Sequence, residues 1–291
     1  MPLRRPEDFT HHDAQLSEVR LHYLREGQGP ALLLLHGWPG FSWEWHKNIG
    51  PLAEHFDVIV PDMRGFGDSE KPPLERIELY HTERVVKDYL ELLDLLGVER
   101  CFLVGHDFGS EVAHKLIRRA PERIVEAIII NPSAPGWTER YLSPEHFGES
   151  WYAMFHCVPM AVRLVGVSRE TVRIYYRHFF SHWSYDKDLF TDEEIEIYVD
   201  NFLKPGNIEG GFNFYKMTDP WTAKDRTISD CPVLFLQGDA DPVAPARWID
   251  AALAWYTKAT LEVIQNAGHF VMRERPDLVN ARIIETFIGK A

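Results

Sequence analysis

A set of short, wholly apolar runs separated by helical stripes constrains this chain more than any other feature. Ala31 to Leu35 and Ala127 to Ile130 contain no polar residue, and Val58 to Val60, Phe102 to Val104 and Val233 to Gln237 are close behind. A strand with one wet face alternates apolar and polar residues, so a continuous apolar run implies a strand covered on both faces. These runs fall far short of the roughly 18 apolar residues that a bilayer span requires. Between them, Arg84 to Leu96 places Val85, Tyr89, Leu92, Leu93 and Leu96 on one helical stripe, and Glu111 to Arg119 does the same with Val112, Leu116 and Ile117. A weakly alternating strand, Val19 to Tyr23, precedes the series; Leu261 to Ile264 and a helix near Leu278 to Ile288 close it. Strands alternating with helices predict an α/β architecture with a mostly parallel, doubly wound sheet.

That rhythm stops near Ser133 and resumes at Val233, leaving roughly a hundred residues of helical pattern rich in aromatics. We read this stretch as a helical cap inserted in one domain, with 1–133 and 229–291 forming the core and 134–228 the cap. The chain, at 291 residues, is near the upper limit for a single core. Within the cap, Thr191 with Glu194 three positions on predicts a capping box before the stripe Ile195, Tyr198, Val199 and Phe202. The 44 Asp and Glu outnumber the 31 Lys and Arg, and a formal charge of −13 repels phosphate backbones and anionic lipid. Neither nucleic acid nor a membrane is an expected partner. Cys101, Cys157 and Cys231 are too few and scattered for a disulfide framework or a zinc site, which fits a reducing, cytoplasmic setting. The N-terminal segment lacks the apolar stretch of a secretory signal.

Chemistry enters where strand Phe102 to Val104 runs into Gly105-His106-Asp107-Phe108-Gly109 and then at once into a helix. Such a sharp strand-to-helix turn strains the central residue and leaves no room for Cβ atoms on either side, which accounts for both glycines. It presents Asp107 as a nucleophile. After Ala31 to Leu35 comes His36-Gly37-Trp38-Pro39-Gly40, a loop able to offer a backbone amide. The expected oxyanion donors are the amides of Phe108 and Trp38, since Pro39 has none. A base and an orienting acid should follow on loops after later strands. His269 lies in Asn266-Ala267-Gly268-His269-Phe270, and Gly238-Asp239-Ala240-Asp241-Pro242 offers two acids, Asp241 and its rival Asp239.

A carboxylate nucleophile narrows the reaction. Attack on an ester or amide would yield an anhydride, with little gain over direct hydrolysis, whereas attack on saturated carbon yields an ester that water can cleave. That leaves epoxides, alkyl halides and haloacids. An epoxide oxygen departs as a basic alkoxide and needs a proton donor, a role open to a phenol that is neutral at pH 7. The cap holds Tyr141, Tyr152, Tyr175, Tyr176, Tyr185, Tyr198 and Tyr215. A dehalogenase, the alternative enzyme, would be served by an indole after the nucleophile and an Asn after the His-Gly, or by a guanidinium near the elbow; the chain has Phe108 and Trp38 and no Arg from 108 to 113. A ligand receptor that keeps the pocket without turnover is the non-enzymatic alternative.

The chain resembles the α/β-hydrolase-fold epoxide hydrolases, particularly soluble bacterial ones acting on small epoxides. The likeness runs through RRPEDF, LLLLHGWPG, DVIVPDMRGFGDSEKP, VGHDFG, ESWY, GGFNFY and AGHF. It implies Asp107 as nucleophile, Asp241 as acid, His269 as base, and Tyr152 and Tyr215 as the phenols that assist ring opening. It also matches His36 to Pro39 to the oxyanion loop and implies a small epoxide and water as the reacting partners, with no metal or organic cofactor. Trp38, Phe108 and Trp137 are candidates for substrate contact.

Overall fold

The computed structural model describes residues 3–132, 138–217 and 227–290, with the side chains of 138 and 139 left aside. Its centre is an eight-stranded sheet in the order β1-β2-β4-β3-β5-β6-β7-β8. The strands are β1 (His11–Gln15), β2 (Arg20–Glu26), β3 (Ala31–Leu35), β4 (Asp57–Pro61), β5 (Cys101–Asp107), β6 (Ile124–Pro132), β7 (Val233–Gly238) and β8 (Ala259–Ile264). Pairs β1–β2 and β2–β4 are antiparallel and the rest parallel.

The apolar runs form the middle of this sheet. Leu32 to Leu35 and Ala127 to Ile130 are wholly buried, as strands covered on both faces must be. Helices α1 (His46–Ala53), α2 (Thr82–Leu95) and α3 (Phe108–Arg119) follow β3, β4 and β5, and α2 buries the expected Val85, Tyr89, Leu92 and Leu93. The edge differs from the sequence reading. The strand expected at Val19 to Tyr23 runs Arg20–Glu26, and β1, of which only Ala14 is buried, precedes it. An edge strand with one covered residue leaves almost no hydrophobic pattern to read.

Strand order explains the site's position. After β3 the chain turns to one side to form β4, then returns to the other side of β3 as β5. At such a switch point the loops leaving the carboxyl ends of the two neighbours diverge and open a crevice. Leu35 pairs with Gly105, so the loop carrying Trp38 and the corner carrying Asp107 leave the sheet side by side.

Between β6 and β7 lies the helical insertion: α4 (Thr138–Tyr141), α5 (Phe147–His156), α6 (Met160–Val165), α7 (Arg169–Trp183), α8 (Asp192–Phe202) and α9 (Asn207–Lys216). The Thr191–Glu194 capping box is present at the start of α8, and Ile195, Tyr198, Val199 and Phe202 are buried. The insertion packs over the carboxyl end of the sheet. The indole of Trp38 touches Tyr152, Tyr176, Phe179, Trp183 and Tyr215 of the cap, and His269 N–H donates to the Trp183 carbonyl at 2.8 Å. Helices α10 (Asp250–Leu253), α11 (Val271–Glu274) and α12 (Pro276–Phe287) complete the chain, with α12 packed against α1. Among the described residues no helix is long and apolar enough to cross a membrane.

Candidate active site

The corner at Asp107 is built from steric necessity. Its backbone has φ 49° and ψ −118°, a conformation costly for a residue with a side chain. A Cβ on Gly105 would lie 2.5 Å from the Gly109 carbonyl oxygen, and one on Gly109 would lie 2.4 Å from that of Leu35. Both contacts are impossible without moving backbone, so the two glycines let strand, corner and helix close on each other. Asp107 thereby stands at the start of α3, where the unpaired amides of the first turn and the helix dipole favour an anion.

Around it the expected residues converge. The Trp38 amide donates to Asp107 Oδ1 at 2.7 Å. His269 Nδ1 lies 2.9 Å from Asp241 Oδ2, and His269 Nε2 faces Asp107 Oδ2 at 3.5 Å, an ion-pair separation too long for a hydrogen bond. Asp241 is fully engaged: Oδ1 accepts from the amides of Val243 (2.8 Å) and Ala244 (3.1 Å), and Oδ2 also accepts from Asn131 Nδ2 at 2.6 Å. Asp239 is exposed, and its carboxylate accepts the Ala267 amide instead. Phe108 opens α3 beside Asp107, its ring edge-on to Tyr215 at 4.9 Å. Trp137 lies outside the described residues.

Electrostatics divide the roles. Burial works against charge on both carboxylates, but His269 and the hydrogen bonds just described hold Asp107 and Asp241 below the usual carboxylate range. Burial likewise opposes the charged imidazole, yet Asp241 and Asp107 together raise His269 above an ordinary histidine. The two carboxylates thus favour the charged form of the imidazole between them. The side chains of His269 and Asp241 are 1% and 0% exposed, whereas that of Asp107 is 14% exposed. Of the three, only Asp107 can be approached.

The cap presents its phenols over this face. Tyr152, four residues before His156 on α5, stacks parallel to Trp38 with ring centroids 5.5 Å apart, and Tyr215 on α9 meets the same indole edge-on at 5.6 Å. Burial, with the Asp107 charge adding to it, pushes both phenols far above their ordinary acidity range, so they stay protonated and able to donate. Tyr175 is instead hydrogen-bonded to His156 Nε2, Tyr198 takes a bond from Arg273, and Tyr185 is exposed.

Several contributors carry no sequence signal. The Tyr141 hydroxyl is hydrogen-bonded to that of Tyr152. His106, buried behind the corner, has Nδ1 2.9 Å from Glu44 Oε1 and Nε2 2.9 Å from the His269 carbonyl. Through these two contacts His106 joins the Ser42–Trp45 turn to the loop that carries His269. Asn131, with φ 44°, turns its amide onto Asp241.

Residues 30–155 match the family model for the alpha/beta hydrolase fold. The chain is also 30% identical to the soluble epoxide hydrolase of Corynebacterium sp. (strain C12), over 94% of its own length and 95% of that protein. The chain belongs to the α/β-hydrolase-fold epoxide hydrolases. Epoxide hydrolase A of Mycobacterium tuberculosis is 29% identical over 93% of this chain and 95% of its own. Among solved structures, the epoxide hydrolase CorEH without ligand superposes with a TM-score of 0.79 at 28% identity, covering 96% of this chain and 98% of that one. This epoxide hydrolase thus carries its group of converging residues where the fold's crevice opens.

Proposed function

We propose that this enzyme hydrolyses a small epoxide to a vicinal diol through a covalent ester on Asp107. Asp107 attacks a ring carbon from the face opposite Tyr152 and Tyr215, the C–O bond breaks, and the departing oxygen takes a phenolic proton. His269, oriented by Asp241, then removes a proton from water, which adds to the ester carbonyl. The oxyanion is received by the amides of Trp38 and Phe108. When the ester C–O bond breaks, one proton completes the diol and the other restores the phenol. Atoms balance as epoxide plus water giving diol.

The observation that carries this reading is the asymmetry of the three buried groups: an approachable carboxylate, held by an amide on one oxygen and not hydrogen-bonded to the imidazole on the other, faces protonated phenols. Esterification removes one of the two charges that raise the His269 pKa. The ring thereby shifts toward the neutral form that the second step uses. We assign the core to 1–133 and 229–291 and the cap to 134–228; the helical run from α4 to α9 supports this. Three unpaired cysteines support a reducing, cytoplasmic setting. A His269→Gln variant incubated with substrate should accumulate the ester, read as one added substrate mass on the peptide containing Asp107. An unmodified peptide after substrate exposure would reject the scheme.

A further inference from the structure

The outer face of the cap carries an apolar stripe that the reaction does not use. On α5 and just beyond it, Phe147, Trp151, Met154 and Val158 follow one another at spacings of four, three and four residues, the rhythm of a helix seam that meets another helix. Met160 and Leu164 extend it along α6, Val167 continues it in the loop after that helix, and Ile174 adds to it from α7. Each of these eight side chains is at least 41% exposed. Met160, Leu164 and Val167, with Pro159 and Arg163, flank a groove of about 510 Å³.

The stripe is too large to be incidental. From these exposures and ordinary full side-chain areas, its apolar surface comes to about 800 Å², above the few hundred Å² of the largest patch on most monomers and equal to one partner's share of a standard interface.

We propose that this face pairs with the same face of a second copy across a two-fold axis. Charge favours a copy over a lipid surface. Arg169, Arg173 and Arg177 beside the stripe are each neutralised by Glu or Asp within the cap, so the face lacks the basic cluster that an anionic lipid surface would need. Among the described residues Arg163, within the stripe, and Glu145, just before it, make no ion pair; these opposite charges are ones that a two-fold axis can bring together. The inner face of α5 carries Tyr152 and His156, so the partner copy braces the helix that holds a ring-opening phenol.

Light scattering on the eluting wild-type chain at 10 to 100 µM should give about twice 33.8 kDa. Leu164→Asp and, separately, Val167→Asp should each halve that mass while circular dichroism and thermal midpoint stay unchanged. Val167 lies in the loop before α7, where a charge has no core to disturb. A monomeric wild type across this range, or a dimer that survives both folded variants, overturns the proposal. So does a monomeric wild type that co-sediments with vesicles of phosphatidylcholine and phosphatidylglycerol.

Discussion

Replacing Tyr215 and Tyr152 by phenylalanine, singly and together, isolates the donors from everything else in the site. Each hydroxyl is buried among rings, and the rings would remain, so packing around Trp38 changes little. What disappears is a hydrogen bond to an oxygen that becomes an alkoxide, worth about 1.5 to 3 kcal/mol for a charged acceptor. At 1.36 kcal/mol per tenfold, each single variant should lose about 10- to 150-fold in the rate of ester formation. Tyr152→Phe should fall at the larger end, because the buried Tyr141 hydroxyl then loses its partner as well. The double variant leaves the alkoxide without a donor and should lose more than about 10³-fold, the scale seen when a preorganised donor is removed from a water-poor site. Single-turnover stopped-flow following Trp38 fluorescence, with enzyme in excess, separates ester formation from hydrolysis. A double variant within fivefold of wild type in the first phase would refute the phenols as proton donors.

Two further outcomes follow from the same geometry. Asp241→Asn should slow ester hydrolysis by 10² to 10⁴-fold and let the adduct accumulate, because it removes the acceptor that holds His269 Nδ1, whereas Asp239→Asn, at an exposed carboxylate, should stay within threefold of wild type; equal losses in rapid-quench assays would contradict the assignment. Because two carboxylates raise the His269 pKa, its folded-state interaction is fully present below about pH 6.5 and fades as pH rises through the folded value near 10. Asp107→Asn should bring that titration down by at least one unit when the ring is followed by nuclear magnetic resonance, and an unchanged midpoint would mean the Asp107 charge does not reach the base.

Much of this arrangement was legible because the chemistry needs residues that also punctuate the backbone. The corner at Asp107 demands glycines on both sides, and His269 and Asp241 sit in loops marked by Gly and Pro after apolar strands, so local patterns point straight at them. The contributors that remained hidden act only through distance. Glu44, in Ser42-Trp43-Glu44-Trp45, belongs to no motif, yet that turn is buried whole and delivers the carboxylate to His106, 62 residues away. Asn131 ends an apolar strand without a motif, and its use becomes visible only when the positive φ aims it at Asp241. Tyr141 was one phenol among seven until its hydroxyl met that of Tyr152. The edge strand β1 escaped because one buried residue in five sets no period.

The covalent step can be tested in a single turnover in ¹⁸O-enriched water with enzyme in excess over epoxide. If Asp107 supplies the oxygen, the first diol released is unlabelled, and the heavy atom appears in the Asp107 side chain. A fully labelled first diol, with an unlabelled carboxylate, would mean that water attacked the ring directly and that Asp107 was never esterified.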